Sequence, residues 1–298
     1  MTSDWEVPAP SCALDVSMND GAVLSVRRYG NTEGPRIILS HGNGLASDAY
    51  YPYWSQLVRQ FDLFIYDYRS HGLSSAGDRR LHNVPTFLVD LDNILQAVAE
   101  QFGYKPPIGI FHSLSAVVAL LLSQERGGFE ALVLFDPPIC PPGGLPADME
   151  GVSTRLATQA SRRRPRFESR AELADLMRDI PAYRGFKPGV VDLLVAAITR
   201  PVEGGGFELR CPKEYEAQAF AYFFGWAIQI DLERISCPVK AIGADPTRRF
   251  SFMPSMNLSV LDNLDYDFLP GTTHFLQMEE PDQCAALTVG FLQKRGLV

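Results

Sequence analysis

The chain is poor in the features that mark secreted, membrane-spanning or nucleic-acid-binding proteins. Its five cysteines, Cys12, Cys140, Cys211, Cys237 and Cys284, are scattered and odd in number. That is not a disulfide framework, and no C-x-x-C pair supplies zinc-site spacing, so no metal is expected. No window comes near the roughly 18 apolar residues of a membrane span. Residues 1–11 carry charges and prolines in place of an apolar run and do not read as a signal peptide. Basic residues are outnumbered, 27 Lys and Arg against 35 Asp and Glu, for a net charge of −8. Such a surface repels phosphate backbones. The one basic run, Arg162, Arg163, Arg164 and Arg166, reads as a solvated helix end or loop, with steering of an anionic substrate as the alternative. Together these absences predict a reduced, cytoplasmic setting with no nucleic-acid partner; a homodimer is left open.

What is present suits a large α/β unit. A hydrophobic fraction of 46% over 298 residues is enough for a sizeable core. Short apolar runs alternate with amphipathic ones. Strands are predicted at Ala22–Tyr29, Arg36–Ser40, Asp62–Tyr66, Ile108–Phe111, Ala131–Phe135, Val239–Gly243 and Tyr266–Leu269. Helices are predicted at Asp48–Gln60, Val84–Gly103, Leu114–Gln124, Glu214–Ile230 and Pro281–Arg295. Strands alternating with helices imply a parallel sheet covered on both faces, with ligands beyond the carboxyl ends of its strands. The rhythm breaks between Pro138 and about Leu232. Residues 1–138 and 234–298 therefore read as one sheet domain, and 139–233 as a helical insertion.

Five segments carry chemistry. Ser113, between an apolar strand and an apolar helix, would expose its hydroxyl where the helix N-terminus offers free N–H groups. The plainer alternative is that Ser113 and Ser115 are helix N-caps. His41-Gly42-Asn43-Gly44 follows a strand; its glycines let the backbone turn and present an N–H. In an acyl-transfer site the N–H groups of Asn43 and Leu114 would then hold the oxyanion. His41, Asp67, Arg69 and His71 read as scaffold. Asp245, past Val239–Gly243, could orient a histidine; Asp136, past Ala131–Phe135, is the rival acid. His274, one of five histidines, lies in a loop after the last predicted strand.

These residues together resemble the α/β-hydrolase superfamily. Asp67-Tyr68-Arg69-Ser70-His71-Gly72-Leu73-Ser74 looks like its D-x-R-G-H-G-x-S segment, with Ser70 in place of a glycine. Gly109-Ile110-Phe111-His112-Ser113-Leu114-Ser115 looks like its nucleophile elbow, G-x-S-x-G, with Phe111 and Ser115 at the two small positions. The order Ser113, Asp245, His274 matches its triad. The resemblance implies an eight-stranded, mostly parallel sheet with a helical cap inserted after the sixth strand. It implies a serine hydrolase that cleaves a carboxylic ester of a small, partly hydrophobic substrate through an acyl-enzyme, without a cofactor. Alternatives are C–C, lactone or thioester hydrolysis by the same triad, or a non-catalytic small-molecule binder. His112, Tyr222, Phe223, Trp226 and Phe275 are the expected pocket residues.

Overall fold

The computed structural model describes residues 5–139, 146–248, 261 and 264–298, with the side chains of 146–149, 223 and 224 outside that description. Cys140 and the side chain of Phe223 therefore lie outside the described residues. In chain order the elements are β1 (Cys12–Ser17), β2 (Val23–Gly30), β3 (Arg36–Ser40), α1 (Tyr51–Trp54), β4 (Asp62–Tyr66), α2 (Val84–Phe102), β5 (Pro107–His112), α3 (Leu114–Arg126) and β6 (Ala131–Phe135). Then come α4 (Pro146–Ser161), β7 (Arg166–Phe167), α5 (Arg170–Asp179), α6 (Val190–Ile198), β8 (Thr199–Pro201), β9 (Phe207–Leu209) and α7 (Lys213–Ala227). The chain ends with β10 (Val239–Gly243), β11 (Asp265–Phe268), α8 (Leu276–Glu279) and α9 (Pro281–Lys294).

Eight strands form one sheet in the order β1-β2-β4-β3-β5-β6-β10-β11. It is parallel from β4 through β11, and β2 is antiparallel to both β1 and β4. The central strands β3, β5 and β6 are buried throughout and apolar between their end residues because both faces are covered. Ile37, Leu39, Ile108, Ile110, Val133 and Phe135 face one core. Ile38, Phe111, Leu132 and Leu134 face the other, against α2 and α3.

Two sequence expectations change. The helix predicted at Asp48–Gln60 is a 3₁₀ turn (Ser47–Tyr50) followed by the short α1. Pro52 lacks an N–H and is accepted only in the first turn of a helix, which here begins at Tyr51. The segment between β6 and β10 is not wholly helical either: β7, β9 and β8 form a small antiparallel sheet beside α4–α7. Among the described residues no helix is long and apolar enough to cross a membrane.

Candidate active site

Ser113 sits at the turn between β5 and α3 with φ 55° and ψ −115°, a conformation that residues with a side chain rarely adopt. Such strain persists only where the surroundings over-determine it. Here the Ser113 N–H donates to the Phe135 carbonyl at 3.1 Å, and the Ser115 hydroxyl accepts the His112 N–H at 2.8 Å. The Ser113 side chain makes no N-cap hydrogen bond, so the capping alternative fails. Buried at 5% exposure, Ser113 lines a cavity of about 380 Å³ together with His274.

Phe111, the departure from the small-residue pattern, is fully buried and turned away from that cavity. It packs edge-on against Phe129, ring centroids 5.7 Å apart, in the core under α3. Room for it comes from Gly109, two residues earlier on the same face: a Cβ there would lie 2.5 Å from the Phe111 ring.

His274 lies in the loop between β11 and α8. Its Nδ1 is 2.6 Å from Asp136 Oδ2, which leaves Nε2 for the cavity. The loop is pinned by Glu279, which accepts from the Thr273 N–H at 2.6 Å and hydroxyl at 2.9 Å. Asp245, the expected acid, is engaged elsewhere. Its Oδ1 accepts from the Thr247 N–H and hydroxyl, and its Oδ2 from the Gly271 N–H at 2.7 Å. Asp136 follows β6 directly, with φ 38°, and its second oxygen accepts the Ala244 N–H at 3.2 Å. Of the two aspartates it is therefore Asp136 that reaches the His274 ring, and Asp245 instead ties down the base of that loop through Gly271.

The loop 41–44 runs against Ser113. A Cβ on Gly42 would lie 3.3 Å from Ser113 Cβ and 2.8 Å from His112 Nδ1, so only glycine passes there. The Gly42 N–H donates to the Tyr50 hydroxyl at 3.1 Å, and that hydroxyl is 2.6 Å from His112 Nδ1. His112 Nε2 is 2.8 Å from the His274 carbonyl. A carbonyl only accepts, so His112 carries its proton on Nε2 and receives the Tyr50 proton on Nδ1. Burial, then the neighbouring His274, hold its pKa well below the usual histidine range. The N–H groups of Asn43 and Leu114 have no acceptor among the described residues, as expected at a helix start for Leu114.

His41 donates from Nδ1 to the Gly42 carbonyl at 2.8 Å and accepts the Tyr68 N–H at 3.1 Å. Asp67 accepts from Ser47 N–H and Leu73 N–H and pairs with Arg27. Burial opposes its charge, but Arg27, His41 and these donors hold its pKa down at about 2. Arg69 makes a bidentate pair with Asp90. His71 Nδ1 faces the Arg69 carbonyl and Nε2 accepts the Gly44 N–H. Ser70 has φ 66°, which is why a glycine suits that position. His71, His82 and Cys211 bring ligand-type atoms within 4.8 Å of one another, but both ring nitrogens of His71 are already hydrogen-bonded.

Of the expected pocket residues whose side chains are described, only Phe275 lines the cavity. His112 is 1% exposed and lies behind the site. Tyr222 is 62% exposed to solvent, and Trp226 packs on the core beneath α3; both sit on faces of α7 turned from the cavity. The wall is instead built from Leu45, Leu156, Met177, Ile198, Phe220 and Tyr183, among others, with Arg163 and Glu216. Arg163 belongs to the arginine run read as solvated. That expectation holds for Arg164 and Arg166, which are exposed, and fails for Arg163.

The alpha/beta hydrolase family model matches residues 37–287. No curated protein matches the sequence. Several solved structures share the fold. An E-2-(acetamidomethylene)succinate hydrolase superposes with TM-score 0.76 at 16% identity, over 95% of this chain and 99% of that one. The thioesterase domain from the curacin biosynthetic pathway gives 0.71 at 18%, over 93% and 98%. A thermophilic esterase from Thermogutta terrifontis gives 0.69 at 17%, over 95% and 99%. The chain belongs to the alpha/beta hydrolase family.

Proposed function

We propose that this hydrolase cleaves a carboxylic ester of a small, partly hydrophobic substrate through an acyl-enzyme on Ser113. The observation that carries the reading is the strained Ser113 facing the same cavity as His274, whose ring is held by Asp136. His274 Nε2 takes the hydroxyl proton as Ser113 Oγ attacks the acyl carbon. Asp136 fixes the tautomer and stabilises the imidazolium. The N–H groups of Asn43 and Leu114 receive the negative charge on the carbonyl oxygen. The imidazolium returns its proton to the leaving alkoxide, and water repeats the sequence to release the acid. Residues 139–233 form a cap over the acyl pocket, and residues 1–138 and 234–298 form the core that holds the triad.

A fluorophosphonate probe tests the reading. Wild-type protein should be labelled on Ser113, and Ser113→Ala should take up no label. Labelling of the alanine variant, or none of the wild type, would remove Ser113 as nucleophile. A panel of esters of rising chain length beside matched thioesters then reads the leaving-group class.

A further inference from the structure

Arg163 stands in the wall of an otherwise largely apolar cavity, just past the end of α4. Its Nη1 donates to Glu216 Oε2 at 2.5 Å. The two partners are unequally placed: the side chain of Arg163 is 28% exposed and that of Glu216 8%. Glu216 Oε1 lies against Gly44, where a Cβ would approach it to 2.5 Å. The cavity therefore meets the guanidinium more than the carboxylate. Nε and Nη2 of Arg163 make no hydrogen bond to any described residue, so most of its five N–H donors are uncommitted. Tyr183 lines the same wall. Burial alone would lower the Arg163 pKa; Glu216 outweighs that and keeps the group charged.

A half-buried guanidinium with one carboxylate contact is a poor stabiliser, since desolvation offsets the attraction. It is well formed for recognition, because a planar fork of N–H donors matches a carboxylate two-to-two. Its link to the reaction is short. The Glu216 carbonyl accepts from Asn43 Nδ2 at 3.0 Å, and Asn43 carries one of the proposed oxyanion donors. Resting on the hydrolase reading above, we infer that Arg163 selects substrates bearing a free carboxylate on the half that fills this pocket, that is, half-esters of dicarboxylic acids.

Hydrolysis of monoethyl adipate and of ethyl hexanoate, equal in acyl length, tests this in a pH-stat. Wild-type kcat/KM should favour the half-ester. Arg163→Met should lower the ratio of half-ester to neutral-ester kcat/KM by roughly 10- to 100-fold, mostly through KM, with Arg163→Lys between. Glu216→Gln, which removes the nearby negative charge, should raise the ratio. An unchanged ratio in Arg163→Met and Arg163→Lys, with thermal midpoints near wild type, would overturn the inference. Fluorophosphonate labelling separates the two readings: a labelled wild type with no half-ester preference sinks the role of Arg163 alone. If the wild type takes no label, thermal stabilisation by adipate, present in wild type and lost in Arg163→Met, still decides whether the pocket binds carboxylates.

Discussion

Two neighbouring strands end in similar ways and do different work. β6 and β10 pair side by side in parallel, Phe135 opposite Ile242, and each delivers an aspartate just beyond its carboxyl end. Asp136 turns back at once, at φ 38°, and its carboxylate reaches the His274 ring. Asp245 lies one residue further from its strand and spends both oxygens on its own turn and on Gly271. Position at a strand end is shared by both. What separates them is which loop the carboxylate finds, and that depends on the route of residues 269–274 between β11 and α8. The two aspartates hold the same histidine loop at different points: one by the ring, the other by the backbone.

The largest test of this contrast is Asp136→Asn. An amide that presents its NH₂ to Nδ1 imposes the wrong tautomer, and kcat should fall by about 10⁴-fold. Fluorophosphonate labelling should slow in parallel, while the thermal midpoint moves little. Equal losses in Asp136→Asn and Asp245→Asn would erase the distinction between the strand ends.

A smaller effect is expected from the brace on the opposite side of the His274 backbone. Tyr50→Phe leaves the buried Gly42 N–H without an acceptor and His112 Nδ1 without a donor. Unmade buried hydrogen bonds of this kind cost about 1–3 kcal/mol, so chemical denaturation should show a clear drop in stability. Activity should fall roughly 10-fold, because the tyrosine touches neither the nucleophile nor the base and acts only by steadying the loop 41–44. A loss as deep as that of Asp136→Asn would place Tyr50 in the reaction itself.

Much of this was legible along the chain, for identifiable reasons. Ala131–Phe135 and Val239–Gly243 are buried along their whole length, and short, mostly apolar runs next to proline read as such strands, with Lys240 the one charge, paired with Asp265 and Asp267. Ser113 and His274 stand out by their setting, a serine between an apolar strand and an apolar helix and a histidine in the loop between the last strand and the last helices. The sequence leaves Asp136 and Asp245 as rivals, since β10 lies between β6 and β11 and only the path of residues 269–274 brings the His274 ring to Asp136. Phe111 stands where the elbow pattern has a small residue, and the signal that accommodates it is Gly109, two residues back on the same face. Arg163 was hidden by its neighbours, because only the end of α4 decides which member of an arginine run turns inward. The strands β7, β8 and β9 span two or three residues each, too few for alternation to show.

The finest test is Asp245→Asn. The side chain reaches no ring nitrogen of His274, so kcat should change by less than about threefold. Stability should fall by about 1–2 kcal/mol at neutral pH, because a carboxylate accepts these hydrogen bonds more strongly than an amide does. The pH dependence carries the sign. Its hydrogen bonds from Thr247 and Gly271 hold the Asp245 pKa below the ordinary 3.8. A depressed carboxylate stabilises the fold above its unfolded pKa and loses that contribution as pH falls through the folded value. Denaturation midpoints of wild type and Asp245→Asn should therefore differ most at neutral pH and draw together below about pH 4. A constant gap down to pH 2 would mean that the charge on Asp245 is not what anchors Gly271, and the division of labour between the two strand ends would have to rest on shape alone.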